Sequence, residues 1–147
     1  MKFNHPLMSN NITKVDLAKV QSLFKKKNII LTQSRQVQKF EQAWSNWLGV
    51  KYSTFVNSGS SANYISIKIL QILNKDSNKN EIIVPTLTWA SDVNSIIMNG
   101  FKPVFVDINL SNLSMNIDQV LKKINKKTLA VFITHAQGFN GLNENLL

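Results

Sequence analysis

Apolar residues in the first part of the chain recur every three or four positions, which is the spacing of an amphipathic helix. This pattern predicts a helix over about residues 13–26, with its lysines gathered near the C-terminal end, where the helix dipole favours positive charge. The residues before it, 1–11, have no such pattern and are predicted to form an extended arm. The apolar face of the predicted helix consists of Leu17, Val20 and Phe24.

A second apolar stripe predicts a helix over residues 35–48. Gly49 follows it directly and is a natural C-terminal stop for a helix. Trp44 and Trp47 lie on the apolar stripe of this helix. We therefore predict that they pack in a core rather than stack on a ligand.

From Tyr52 onwards, short apolar runs alternate with stretches of helical periodicity. Each run is apolar throughout, as in parallel strands that are covered on both faces. Alternation of strands and helices predicts an α/β layered sheet. The predicted strands are residues 52–56, 82–84, 104–106 and 129–133, and the predicted helices are residues 62–73, 91–99 and 117–124.

Composition narrows the classes of function. The 147 residues are 44% hydrophobic and 17% charged, as in a globular domain, and contain no apolar run long enough to span a bilayer and no secretory signal. Cysteine is absent, which excludes disulfides and fits a reducing cytoplasm. The net charge is +9, but the lysines are scattered and Arg35 is the only arginine, which favours solvated helix faces over a nucleic-acid surface. We expect a cytoplasmic chain with neither membrane nor nucleic acid as partner.

The turn at residues 57–61 joins the strand predicted at 52–56 to the next helix. Gly59 permits a ligand to approach the backbone, and the free N–H groups and dipole of a helix N-terminus favour an anion. Ser60 and Ser61 add hydroxyl donors, so a phosphate fits here. The alternative is a plain turn with a capping serine, and this stretch alone leaves both open. It is neither a Walker loop nor a dinucleotide fingerprint, because the lysine of the first and two glycines of the second are missing.

Two more polar segments follow predicted strands, at the edge where open α/β sheets bind ligands. Trp89, in the segment 85–89, could stack on a flat cofactor, although packing beneath the loop is the commoner role of a lone tryptophan. His135 is a lone histidine in the segment 134–138, for which a structural role is commoner than a catalytic one. His5, in the arm, has no visible partner. No constellation typical of a metal site, a carboxylate pair or a serine triad is present in the sequence.

Taken together, these segments resemble the DegT/DnrJ/StrS family of nucleotide-sugar aminotransferases, which depend on pyridoxal 5'-phosphate (PLP). The resemblance covers nearly the whole chain, and it rests on the order and spacing of its landmarks rather than on any one of them. Ser34-Arg35 departs from the family, in which Gly-Pro is frequent at this point. The landmarks are Phe40-Glu41, Trp47-Leu48-Gly49, Val56-Asn57-Ser58-Gly59-Ser60-Ser61-Ala62-Asn63, Ile83-Val84-Pro85, Thr88-Trp89, Pro103-Val104-Phe105-Val106-Asp107, and His135 with Gly138.

The resemblance implies the aspartate-aminotransferase-like fold known as PLP fold type I, a three-layer α/β/α architecture. Residues 1–147 are then the N-terminal part of its large domain. The arm and the first helices take up residues 1–50, and alternating strands and helices take up residues 51–147.

The resemblance also implies roles for individual residues. In the family, the turn that matches Gly59, Ser60 and Ser61 holds the cofactor phosphate, and the aromatic residue that matches Trp89 stacks on the pyridine ring. The family's pyridine-nitrogen aspartate and Schiff-base lysine are expected beyond Leu147. We therefore assign no catalytic residue and no metal ligand in this chain.

The function implied is that of the N-terminal portion of an aminotransferase for nucleotide-linked sugars, in the biosynthesis of cell-surface polysaccharide or lipopolysaccharide. Its partners would be a nucleotide-sugar substrate, an amino donor, and either a second copy in a homodimer or a complementing C-terminal chain. Residues 57–63 and 132–142 look especially like a branch resembling sugar 3-dehydrases, in which a histidine replaces the Schiff-base lysine. A non-catalytic remnant that keeps the phosphate turn is a further alternative.

Overall fold

The computed structural model describes residues 10–142, and the chain divides into two compact units between Phe55 and Val56. Most of the predicted arm, with His5, lies outside the described residues. Within the described range, no helix has both the length and the apolar character needed to cross a membrane.

The first unit contains helix α1, Lys14–Phe24, as the periodicity predicts. Thr13 caps it: the Thr13 hydroxyl accepts a hydrogen bond from the Asp16 N–H, and the Asp16 carboxyl group accepts one from the Thr13 N–H. The hydrogen bond that the Thr13 hydroxyl donates to the Asp16 carboxyl group at 2.6 Å and, next, that from the Thr13 N–H hold the pKa of Asp16 below its ordinary value. Local capping therefore sets the start of α1.

Helix α2, Arg35–Leu48, has the predicted ends. It begins after Ser34, whose hydroxyl accepts the Gln36 N–H, and it stops at Gly49, whose φ of 73° is the left-handed conformation that glycine adopts readily. Trp44 and Trp47 contact each other at 5.0 Å between ring centroids, but Trp47 is 75% exposed. The prediction of core packing is therefore wrong for Trp47, whose apolar surface finds no cover in the described residues.

The second unit is built on a parallel three-stranded sheet in the order β2-β1-β3. Its strands are β1 (Glu81–Pro85), β2 (Lys102–Val106) and β3 (Thr128–Val131). Three of the predicted strands are thereby confirmed. Every residue of the central strand β1 is buried, as a continuous apolar run predicts.

Successive side chains of a strand point to opposite faces of a sheet. The buried residues of β1 therefore face both ways, and helices cover both faces of this sheet. On one face Ile82 shares a core cluster with Ile67 and Ile96, and on the other Ile83 shares one with Val120. The predicted three-layer α/β/α arrangement is confirmed for this unit. Its helices are α3 (Gly59–Leu73) and α4 (Ala90–Met98) on the first face and α5 (Ile117–Lys123) on the second, followed by a short 3₁₀ turn at Ala136–Gly138.

The strand predicted at residues 52–56 is a correction. This stretch has no ladder partner among residues 10–142 and is not a strand. A strand exists only through hydrogen bonds to a neighbour, and the three strands of the sheet pair with one another. The apolar run from Tyr52 to Val56 therefore indicates a tendency to be buried and says nothing about which strand would pair with it.

A group of polar contacts lies at the N-terminal end of the sheet. The Glu81 carboxyl group, on β1, accepts hydrogen bonds from Asn125 at 3.0 Å and from Lys102 at 3.2 Å. The hydrogen bond from Asn125 and, next, that from Lys102 lower the pKa of Glu81. This end of the sheet lies opposite the carboxyl ends of the strands, where the candidate site is found.

Candidate functional site

Helix α3 begins at Gly59, three residues before the predicted start, because Ser58 caps it. The Ser58 hydroxyl accepts the N–H of Ser61 at 3.1 Å, and the Ser61 hydroxyl donates to Asn57 Oδ1 at 2.7 Å. These bonds fix the turn before the helix. They also occupy the amide and hydroxyl groups of Ser61.

The first two amides of α3 remain available to a ligand. The N–H groups of Gly59 and Ser60 come before any helical carbonyl that could accept them. Ser60 is exposed, and its hydroxyl makes no hydrogen bond in the part of the chain that the structure describes. A Cβ added at Gly59 would meet nothing within 4 Å, so space is open over the backbone at this point. The turn thus keeps donors free at the positive end of a helix dipole.

Ser60 and Ser61 line a cavity of about 560 Å³ together with Trp89. The sequence predicts this convergence, and the structure brings the three residues together. Gly59 does not line the cavity and instead begins the helix that carries the serines. None of the lining residues is charged, so no carboxylate opposes an anion there.

Trp89 stands at the start of α4 and is 75% exposed. The alternative of a tryptophan packed beneath its loop is therefore wrong. Its neighbour Thr88 is partly buried and anchors the loop. The indole is left free to contact a ligand.

A second cavity, of about 350 Å³, also borders Trp89 and is lined by His135 and Gln137. His135 Nδ1 accepts the Gly141 N–H at 3.0 Å, so the ring presents its other nitrogen as a donor. Gln137 has a positive φ of 54°, which is uncommon for a residue with a side chain. Among residues 10–142 no group of three or more histidine or acidic side chains is arranged to hold a metal ion.

A polar cluster around a buried carboxyl group adjoins these cavities, with Thr88 and Thr134 also lining the second one, and the sequence pattern did not predict it. We call it the Asp92 cluster: Asn63 on α3, Thr88 before α4, Asp92 on α4, and Thr134 after β3. Asp92 is only 5% exposed. Its Oδ1 accepts from Asn63 Nδ2 at 2.5 Å, and its Oδ2 accepts from the hydroxyl groups of Thr88 and, at 3.3 Å, Thr134.

The sequence contains one faint signal for this cluster. Thr88 and Asp92 are four residues apart across a helix start, a spacing at which side chains meet. Asn63 and Thr134 are remote in sequence, and local patterns cannot connect them. The cluster joins three segments that each carry or adjoin a predicted site residue.

Comparison with known proteins gives a consistent family. The sequence profile of the DegT/DnrJ/EryC1/StrS aminotransferase family matches residues 10–141. GDP-perosamine synthase of Vibrio cholerae is 35% identical over 109 residues, which are 74% of this chain and 29% of that protein. GDP-4-keto-6-deoxy-D-mannose 3-dehydratase of Yersinia pseudotuberculosis is 29% identical over 137 residues, which are 92% of this chain and 34% of that protein.

A solved structure of similar fold comes from the same group. The Escherichia coli GDP-4-keto-6-deoxy-D-mannose-3-dehydratase, determined with bound hydrated PLP, has a TM-score of 0.76 and 26% identity. The alignment covers 88% of this chain and 33% of that one. The fold that the sequence resemblance implies is therefore confirmed. The chain spans about a third of the length of the relatives it matches.

Proposed function

The chain belongs to the DegT/DnrJ/EryC1/StrS aminotransferase family, and from that premise we propose that it forms the phosphate-holding and ring-stacking part of a PLP site in an aminotransferase that acts on nucleotide-linked sugars. The activity is proposed for the biosynthesis of cell-surface polysaccharide, in the cytoplasm. Its substrates would be a nucleotide sugar and an amino donor, and its active form a homodimer or a complex with a complementing chain.

One observation carries the proposal: Ser60 and Trp89 line the same cavity. PLP is a flat ring joined to a phosphate by a short linker, so its site needs an anion-binding group and a flat apolar face within one small volume. The cavity of about 560 Å³ supplies both, and its lining lacks charged side chains. The residues present therefore fit the cofactor.

Each residue has a definable task. The N–H groups of Gly59 and Ser60, together with the Ser60 hydroxyl, would donate to phosphate oxygens, helped by the dipole of α3. Trp89 would cover one face of the ring and exclude water from it. When bound, PLP supplies an electron sink for reactions at the carbon attached to the transferred nitrogen. The chain's own contribution is to orient the cofactor and to shield it.

The test is a binding measurement with pyridoxamine 5'-phosphate. This form of the cofactor has no aldehyde and so cannot form adventitious Schiff bases with surface lysines. We expect Trp89→Ala to weaken binding of the ligand to the purified chain by roughly 2- to 13-fold, the equivalent of about 0.5–1.5 kcal/mol for an aromatic contact. Isothermal titration calorimetry measures the affinity directly.

Trp47→Ala is the matched control, because Trp47 is also 75% exposed but lies in the other unit. It should leave the affinity unchanged. Equal losses in the two variants, or no binding by the unaltered chain, would contradict the proposal. We expect binding without turnover, because no residue of the chain matches the family's Schiff-base lysine.

A sugar 3-dehydratase is the second candidate. It is favoured by the 92% coverage of this chain in its match to the Yersinia pseudotuberculosis enzyme, compared with 74% for the perosamine synthase. Removing the gene from its host separates the two functions. Mass spectrometry of the hydrolysed surface polysaccharide should show loss of an amino sugar for an aminotransferase, and loss of a 3-deoxy sugar for a dehydratase.

A further inference from the structure

We propose that Asp92 is a positioning residue, which holds the phosphate-binding turn of α3 and the indole of Trp89 at the separation that the cofactor requires. The inference rests on the function proposed above. Asp92 does not line either cavity that borders Trp89. It would act through the residues to which it is bonded.

The bonds of Asp92 reach the three segments that surround the site. One carboxyl oxygen accepts from Asn63, two residues beyond Ser61 on α3. The other accepts from Thr88, which immediately precedes Trp89. Thr134 joins both, since its hydroxyl lies 3.3 Å from Asp92 Oδ2 and 2.6 Å from the Thr88 hydroxyl.

The backbone reinforces this arrangement. The Asp92 N–H donates to the carbonyl oxygen of Trp89 at 2.9 Å, so the start of α4 is held by both the main chain and the side chain of one residue. Asp92 is also placed in the first turn of α4, where the helix dipole favours negative charge. A hydrogen-bonded cluster around a buried carboxyl group, in which every member has a partner, is rigid. It can therefore fix the distance between its attached segments.

A fixed distance between the phosphate-binding turn and the indole of Trp89 can be detected by comparing ligand affinities. A ligand that carries both ring and phosphate gains affinity from the second contact only if the two subsites stand at the right distance. Loss of the cluster should therefore weaken pyridoxamine 5'-phosphate more than it weakens pyridoxamine or inorganic phosphate. A residue with a purely structural role would lower all three affinities together or none.

Asn99→Ala provides the matched control. Asn99 is 2% exposed, lies at the opposite end of α4, and also links α4 to α3, because its side chain donates to the Tyr64 carbonyl oxygen and its backbone carbonyl oxygen accepts from Gln71. Removing its side chain should take away the hydrogen bond to Tyr64, which lines the first cavity, and so loosen the same pair of helices without removing any bond of the Asp92 cluster. Asp92→Asn, which keeps the shape of the side chain, is the second variant in case Asp92→Ala does not fold.

The experiment titrates the three ligands into the unaltered chain, Asp92→Ala, Asp92→Asn and Asn99→Ala, with circular dichroism to establish folding. We expect Asp92→Ala to lose about tenfold or more in affinity for pyridoxamine 5'-phosphate, and no more than about threefold for pyridoxamine or for phosphate. Asp92→Asn should show a smaller loss of the same pattern, and Asn99→Ala should keep the ratio of the unaltered chain.

The outcomes separate the two proposals. If the unaltered chain binds pyridoxamine 5'-phosphate but the Asp92 variants lose all three ligands in parallel, or lose no more than Asn99→Ala, Asp92 has no positioning role and the proposed function stands. If the unaltered chain does not bind pyridoxamine 5'-phosphate, the proposed function fails and this inference fails with it.

Discussion

Replacing Asn63 with aspartate tests whether the Asp92 cluster stabilises the fold as its geometry indicates. The substitution preserves the size of the side chain but exchanges the donor that lies 2.5 Å from Asp92 Oδ1 for a carboxyl oxygen. Because Asp92 is 5% exposed, water cannot separate the two acidic groups. The folded state must then either hold two facing negative charges or bind a proton between them.

The magnitude follows from the contact that is lost. A hydrogen bond to a charged group contributes about 1.5–3 kcal/mol, and leaving one partner of a buried charged contact unsatisfied costs roughly 3–5 kcal/mol. We expect Asn63→Asp to lower the free energy of unfolding by that larger amount at pH 8. Since whole domains are stable by only about 5–15 kcal/mol, such a loss is readily measured.

The loss should depend on pH with a defined sign. The facing carboxyl group raises the pKa of the introduced aspartate in the folded state, so the folded state binds a proton more tightly than the unfolded state does. Stability relative to the unaltered chain therefore falls as the pH rises between these two pKa values, by at most about 1.4 kcal/mol per pH unit for one proton. At pH 5 a shared proton should replace the missing amide hydrogen and restore part of the stability.

Urea unfolding followed by circular dichroism at pH 5, 6.5 and 8 measures these differences. The double variant Asn63→Asp with Asp92→Asn is the control, because it exchanges the two side chains and restores one donor facing one acceptor. It should be more stable than Asn63→Asp at pH 8 and lack the added pH dependence. A single variant with the pH profile of the unaltered chain, or a double variant no more stable than the single one, would refute this reasoning.

Three further expectations concern local contacts, each measured by unfolding. Ser58→Ala removes the cap of α3 and should lower the free energy of unfolding by about 1 kcal/mol in urea, with no loss contradicting the cap. Hydrogen bonds, first that from Asn125, lower the pKa of Glu81 in the folded state. The stability that the Glu81 carboxylate contributes is therefore present above the pKa of an unfolded glutamate and is lost as the pH falls through the lowered value. Glu81→Gln should accordingly make the melting temperature less sensitive to acid between pH 7 and 3. Gly141→Ala places a Cβ 2.7 Å from the Thr134 carbonyl oxygen and should lower the melting temperature, and an unchanged value would show that the loop relaxes freely.

Local sequence signals predicted elements well where they are self-contained. Helix α2 has the predicted ends, because a complete apolar stripe is followed by a glycine that adopts the left-handed conformation. Helix α3 begins earlier than its apolar residues indicate, because Ser58 caps it and Gly59 is its first residue. Apolar periodicity locates the buried face of a helix, whereas capping side chains decide where the helix begins.

Features that depend on distant residues were predicted less completely. The apolar run at 52–56 has the composition of a buried strand, but composition does not provide a neighbour with which to pair. The position of Trp89 beside Ser60 was predicted from a strand-like run before each residue, and the two do line one cavity, although only the run before Trp89 forms a strand of the sheet. The bonds among Asn63, Asp92 and Thr134 could not, because they join residues from three separate elements.

The order of the strands has a consequence for how the sheet assembles. Within residues 10–142, β1 is the first strand along the chain but occupies the centre of the three-stranded sheet, and its partners β2 and β3 both come later. Its amide hydrogens can gain full protection only after Thr128–Val131 has docked, so the slowest-exchanging amides in hydrogen–deuterium exchange should cluster in Ile82–Val84. During synthesis on a ribosome, β1 cannot form its ladder hydrogen bonds until β2 and β3 have also been synthesised. Folding of this unit is thus governed by contacts between segments far apart in the chain, which favours slow assembly.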